Sequence, residues 1–211
     1  MTERRSLFLK QGLTLIELLI VVGIVLILAG IAAENYMAAS IRAKVARVHS
    51  EHRTLMTAIE AYRADHNQPP RMAHRTYQDP AFDIIQGMPV AGVMSRALST
   101  PVAYVTRAHL IDPFMEANLA APLDERLYTY QVIPQYIEWN PDSTFWPMAL
   151  EFYGDWRLGS VGPDRTFGYG FANSAQLPYD PTNGIVSLGN IWRGQRGLTG
   201  IPPVPDMLGE H

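Results

Sequence analysis

The chain has 211 residues, a formal net charge of −3 at pH 7 and a pI near 6.1. That length accommodates one domain plus an additional segment, and the charge leaves no basic face of the kind that binds nucleic acid. There is no cysteine, which excludes disulfides, thiolate metal sites and cysteine nucleophiles.

Residues 1–12 are short, polar and basic, with Arg4, Arg5 and Lys10, and carry no core-forming pattern. They read as a processing segment that stands outside the fold. Residues 13–33 are apolar except for Thr14 and Glu17. A helix of about 20 apolar residues crosses a hydrocarbon core. The basic residues before it place the N-terminus in the cytoplasm and the remainder outside. Glu17 is the anomaly, because a charge within a membrane helix costs about 2.5–3.5 kcal/mol on insertion scales. A partner that neutralises it is one solution. The alternative is a carboxylate near the cytoplasmic edge that reaches the headgroups. A cleaved secretory signal is a competing reading, with Gly30-Ile31-Ala32 as the small-residue site. The glutamate inside the apolar run, and the length of that run, oppose it.

From residue 34 to 66 the pattern is amphipathic. Met37, Ile41, Val45, Val48, His52, Leu55, Ile59 and Tyr62 recur at helical spacing, with Arg42, Lys44, Arg47, Glu51, Arg53, Glu60 and Arg63 between them. No glycine or proline interrupts residues 31–68, and Pro69-Pro70 forbid continuation. A single helix over residues 13–65 would be roughly 80 Å long. His49 and His52, at i and i+3, could in principle ligate a metal, but without nearby carboxylate geometry a solvated, charged face is the expected reading.

Residues 67–126 form a proline-punctuated connector, with a short helix expected over 91–98. Strand patterns follow at residues 127–133, at 148–153 continuing into 155–158, and at 185–188 with 191–192. Short links between them predict an antiparallel sheet that covers the distal half of the long helix. The proline-rich tail from residue 200 onward is expected to be exposed. The expected fold class is α+β: a long N-terminal helical spine, membrane-spanning in its first half, against a small antiparallel β-sheet head. The expected segments are 1–12, 13–33, 34–66, 67–126 and 127–211.

The run Lys10-Gln11-Gly12-Leu13-Thr14-Leu15-Ile16-Glu17-Leu18 resembles the class III signal of type IV pilins and of type II secretion pseudopilins. The resemblance implies that a prepilin peptidase cuts between Gly12 and Leu13 on the cytoplasmic side and N-methylates Leu13. It also implies that Glu17 neutralises the amino terminus of a neighbouring subunit in a filament. The implied partners are other copies of the chain, the peptidase, an inner-membrane assembly platform, minor pseudopilins and the inner membrane. The implied location is a single inner-membrane pass with a periplasmic head. Two positions depart from the family pattern. Leu13 stands where phenylalanine is usual, and Glu34 where many members have a kinking proline, leaving Gly23 and Gly30 as weak points.

The stretch Leu98-Ser-Thr-Pro101 to Phe114 resembles the connector of the G-type pseudopilins, and the turns at 162–164 and 180–184 resemble their calcium-binding distal loop. That likeness implies Asp164, Asp180 and Asn183 as oxygen donors to Ca²⁺; the same residues are also ordinary turn formers. No nucleophile elbow, zincin, P-loop or dinucleotide-binding motif occurs, so no enzyme is expected. The leading expectation is a major pseudopilin of a type II secretion system. A type IV pilus subunit is the alternative, and a membrane-anchored binding domain that never polymerises is a third.

Overall fold

A computed structural model describes residues 14–73, 92–121, 123–165, 179–182, 187 and 189–197. The chain divides into two compact units, residues 1–40 and 41–211. Helix α1, Leu15–His66, contributes to both.

In the first unit α1 buries nothing. Its large apolar side chains from Leu15 to Ile31 are each between 49% and 81% exposed. By length and composition this part of the helix can cross a membrane. A Cβ added at Gly23 or Gly30 would meet no atom within 4 Å.

In the second unit the same helix is a core element. Val48, His52, Leu55, Ala58 and Ile59 are buried, and Ile41, Val45, Met56 and Tyr62 pack against the same cluster. These follow the expected stripe, while Met37, on the other unit, stays exposed. The helix ends where the sequence requires. Asn67 adopts φ 59°, and its N–H donates to the Arg63 carbonyl at 2.8 Å, before Pro69-Pro70.

Three strands are found among the described residues: β1 Thr129–Val132, β2 Trp156–Ser160 and β3 Ile191–Gly194. They form an antiparallel sheet in the order β1-β2-β3, with Tyr130 opposite Leu158 and Gly159 opposite Trp192. Alternation turns Trp156 and Leu158 toward α1, where Trp156 Nε1 donates to Glu60 Oε1 at 2.8 Å. The opposite face carries Arg157, which is fully buried. Its guanidinium lies 4.2 Å from the Trp192 ring centroid and 4.8 Å from that of Tyr153. Its Nε donates to Gln131 Oε1 at 2.5 Å. Cation–π stacking and that hydrogen bond keep a buried charge tolerable.

The strand expected at residues 148–153 is a helix. Helix α2 runs Ile133–Trp139 and α3 runs Phe145–Tyr153. Aromatic side chains gave this stretch its strand character. However, Ala149 and Tyr153, the two buried residues of α3, are four apart, which is helical spacing. Pro134 and Pro147 fall within the first turn of their helices, where a missing N–H costs nothing. Of the helix expected at 91–98, a 3-10 turn at Arg96–Leu98 is present, while Gly92 and Val93 make β-bridges to Tyr130 and Ala73. The third strand takes only the latter part of the expected stretch; Ile185, Val186 and Leu188 lie outside the described residues.

Asp112 pins the connector to the sheet. Its Oδ1 accepts from the Phe114 N–H and its Oδ2 from the Val161 N–H, both at 2.9 Å, while its own N–H donates to the Arg126 carbonyl. Burial pushes its carboxyl upward in pKa, and these bonds oppose that.

Gly159 exists for Trp192. A Cβ there would collide with the indole ring, which is buried and has no room to move. Gly159→Ala is therefore expected to destabilise the protein by about 1–3 kcal/mol, as overpacking does. Denaturant unfolding followed by tryptophan fluorescence checks this, and an unchanged midpoint would contradict it.

Candidate functional site

The first residue with a described position, Thr14, caps α1 together with Glu17. The Thr14 N–H and hydroxyl donate to Glu17 Oε2 at 2.8 Å and 2.7 Å, and the Glu17 N–H donates to Thr14 Oγ1 at 3.3 Å. This reciprocal arrangement is a capping box, which satisfies donors that a helix start otherwise leaves unmet. Such caps contribute about 1 kcal/mol. Glu17 thus sits at the positive end of the helix dipole, with its charge held by its own chain. Gly12 and Leu13, the expected cleavage pair, lie outside the described residues.

Of the expected calcium donors, Asn183 also lies outside the described residues. Asp180 closes a turn on itself. Its Oδ1 accepts from the Thr182 N–H at 2.8 Å and from the Thr182 hydroxyl at 2.6 Å, and these bonds hold the exposed carboxyl below its ordinary pKa. Its own N–H donates to Ser187 Oγ. Asp164 is half-buried in the turn after β2. Both turns abut the same short segment. A Cβ at Gly162 would strike the Gly189 carbonyl, and the Tyr179 N–H donates to the Asn190 carbonyl at 2.9 Å. Among the described residues no group of three His, Cys, Asp or Glu side chains is placed to hold a metal ion.

His49 and His52 separate by environment. His49 is exposed at the helix surface, and His52 is fully buried, edge-on to Tyr128 with ring centroids 4.8 Å apart. Neither ring nitrogen of His52 has a hydrogen-bond partner among the described residues. Burial first, then His49 and Arg193, push its pKa down to about 3. It is a neutral core residue.

The polar residues that fasten α1 to the head carry no sequence motif. Glu51 accepts from the Tyr128 hydroxyl at 2.6 Å and from Arg47 Nε at 2.8 Å. Glu60 accepts from Trp156 Nε1 and from Gln195 Nε2, and Arg63 pairs with Asp155 at 2.9 Å. Both glutamates sit beside the apolar stripe, and that position was the available clue. At the helix end the Tyr104 hydroxyl donates to Asp65 Oδ2, which pushes its pKa up to about 12.

No family model matches the chain, and no solved structure does. The type IV major fimbrial protein FimA of Dichelobacter nodosus is 33% identical over 133 residues, which is 63% of this chain and 82% of that protein.

His52 gives the head a pH dependence whose sign is fixed. Its pKa is lower folded than unfolded, so the unfolded chain binds the extra proton between about pH 3 and the ordinary value near 6.5. Stability falls as pH drops through that window and is flat above it, a loss of about 2 kcal/mol between pH 7 and pH 5. Thermal unfolding of the detergent-solubilised chain and of His52→Leu should show this difference, with the variant markedly less acid-sensitive. Parallel pH curves would contradict it.

Proposed function

This chain belongs to the type IV fimbrial protein family, and on that premise we propose that it is a filament subunit of the secretion type, a pseudopilin. The observation that carries the reading is the uncovered apolar half of α1, with a single carboxylate held at its start. Such a surface needs lipid or other copies of itself around it. In the proposed cycle the subunit waits in the inner membrane with its N-terminus cytoplasmic and its head outside. The prepilin peptidase frees and methylates Leu13. Glu17 then exchanges its contact with Thr14 for the amine of a neighbouring copy as the helix leaves the membrane for the filament interior. Two opposite charges buried together cost less than one buried alone. The assembly platform and minor pseudopilins are the remaining partners.

A pilus for adhesion, motility or DNA uptake shares every step of this cycle. The lack of any cysteine to close a C-terminal loop, and the Gly162-Pro163-Asp164 turn, favour the secretion role. Loss of exported proteins from the culture medium on deletion of the gene, with surface pili unaffected, is the expected phenotype.

Glu17→Ala is expected to stay folded and membrane-inserted, yet to yield at least tenfold less sheared or sedimentable filament than the wild type. Equal yields would contradict the role given to Glu17 and favour an anchored domain that does not polymerise.

The proposal extends to calcium at the paired distal turns, where Asp180 Oδ2, not used by Thr182, joins Asp164 and Asn183 with backbone carbonyls as further oxygens. Millimolar Ca²⁺ should then raise the thermal midpoint over a chelated sample, and Asp180→Ala should abolish the rise. Identical midpoints leave these residues as turn formers only.

A further inference from the structure

The second unit carries a cleft of about 360 Å³, lined by Val45, Ile191, Trp192 and Pro181 with Arg42 and His49 on the α1 side. It has an apolar floor, and Arg42 is the cationic side chain that lines it. Arg193 and Arg53 act electrostatically on the same His49. Asp180, next to Pro181, accepts from Thr182 through Oδ1 only and keeps its negative charge.

Elsewhere on the same unit a turn following Phe114 exposes an apolar ridge. Leu119 is 80% exposed and Leu123 is 41% exposed, with exposed Ala117 and Ala120 beside them. Hydrogen bonds within the turn, from the Asn118 N–H to the Met115 carbonyl and from the Ala121 N–H to the Asn118 carbonyl, hold Leu119 outward. Glu116 flanks the ridge with an exposed carboxylate 3.2 Å from Arg47.

The placement of the two features decides their use. At about 100° per residue, Arg42, Val45 and His49 cluster within about 60° on one side of α1, and Arg47 points about 170° away from them. The cleft and the ridge therefore lie on opposite sides of the helix. An interface joining two different patches of one chain is heterologous, and when it does not close it propagates as a helical filament. A ridge and a cleft that faced the same way would close a dimer instead.

We propose that the Leu119 ridge of one copy seats in the cleft of the next, with Glu116 directed at Arg42. This rests on the filament reading above and adds the contact through which the heads join. The cleft volume suits an aliphatic side chain with its flanking backbone. Arg42 beside the cleft and Glu116 beside the ridge carry opposite charges, which favours this register over ridge on ridge or cleft on cleft.

The absence of native cysteine makes a direct test simple. Full-length chain carrying His49→Cys and Ala120→Cys, treated with a short bismaleimide in assembled material, should give a ladder of covalent oligomers. Either single variant should not, nor should the double variant on a Glu17→Ala background. Leu119→Asp should cut filament yield at least tenfold while leaving the monomer's thermal midpoint unchanged. Filaments that form in a Glu17-dependent way, yet give no ladder and tolerate Leu119→Asp, overturn this contact and leave the filament reading standing. Absence of any filament overturns both. A His49→Cys monomer in detergent that does not react with a monofunctional maleimide shows the cleft filled by its own chain, which also overturns the contact.

Discussion

One helix faces two environments, and the rest follows from that constraint. From Leu15 to Ile31 the apolar side chains of α1 have nothing over them, whereas Val48, Leu55 and Ile59 are buried. Each large apolar side chain removed from water contributes about 1.5–3 kcal/mol. Summed over the uncovered run, this far exceeds the cost of one carboxylate in a membrane helix, about 2.5–3.5 kcal/mol. Glu17 therefore does not prevent insertion. What it changes is the start of the helix, where it is tied to Thr14.

The distal half of α1 has the reverse task of holding a head in one register. Apolar burial alone would permit the helix to slide by a turn. The hydrogen bonds of Glu51 to Tyr128 and of Glu60 to Trp156 forbid this, because a slip would strand buried donors. Asp112 does the same for the connector by holding the N–H groups of Phe114 and Val161.

Much of this was legible in the sequence. The spine, its stripe and its end were written in the spacing of Val48, His52, Leu55 and Ile59 and in Pro69-Pro70, because helical periodicity over many turns is a strong pattern. The capping box of Thr14 and Glu17 was missed, although its three-residue spacing was there to be read. The segment at 148–153 misled, because Phe152 and Tyr153 suit strands while Ala149 and Leu150 suit helices, and tertiary packing decided between them. The stacking of Arg157 between Trp192 and Tyr153, and the pairing of Gly159 with Trp192, depend on strand register, which no local pattern encodes.

The account stands on removal of residues 1–12 with the apolar start of α1 kept in the working protein. Intact-mass and N-terminal mass spectrometry of the membrane fraction, in cells that possess the processing enzyme, measures this directly. The account predicts a chain beginning at N-methylated Leu13. A chain beginning at Ala33 or Glu34, or one still carrying Met1 through Gly12, would contradict it.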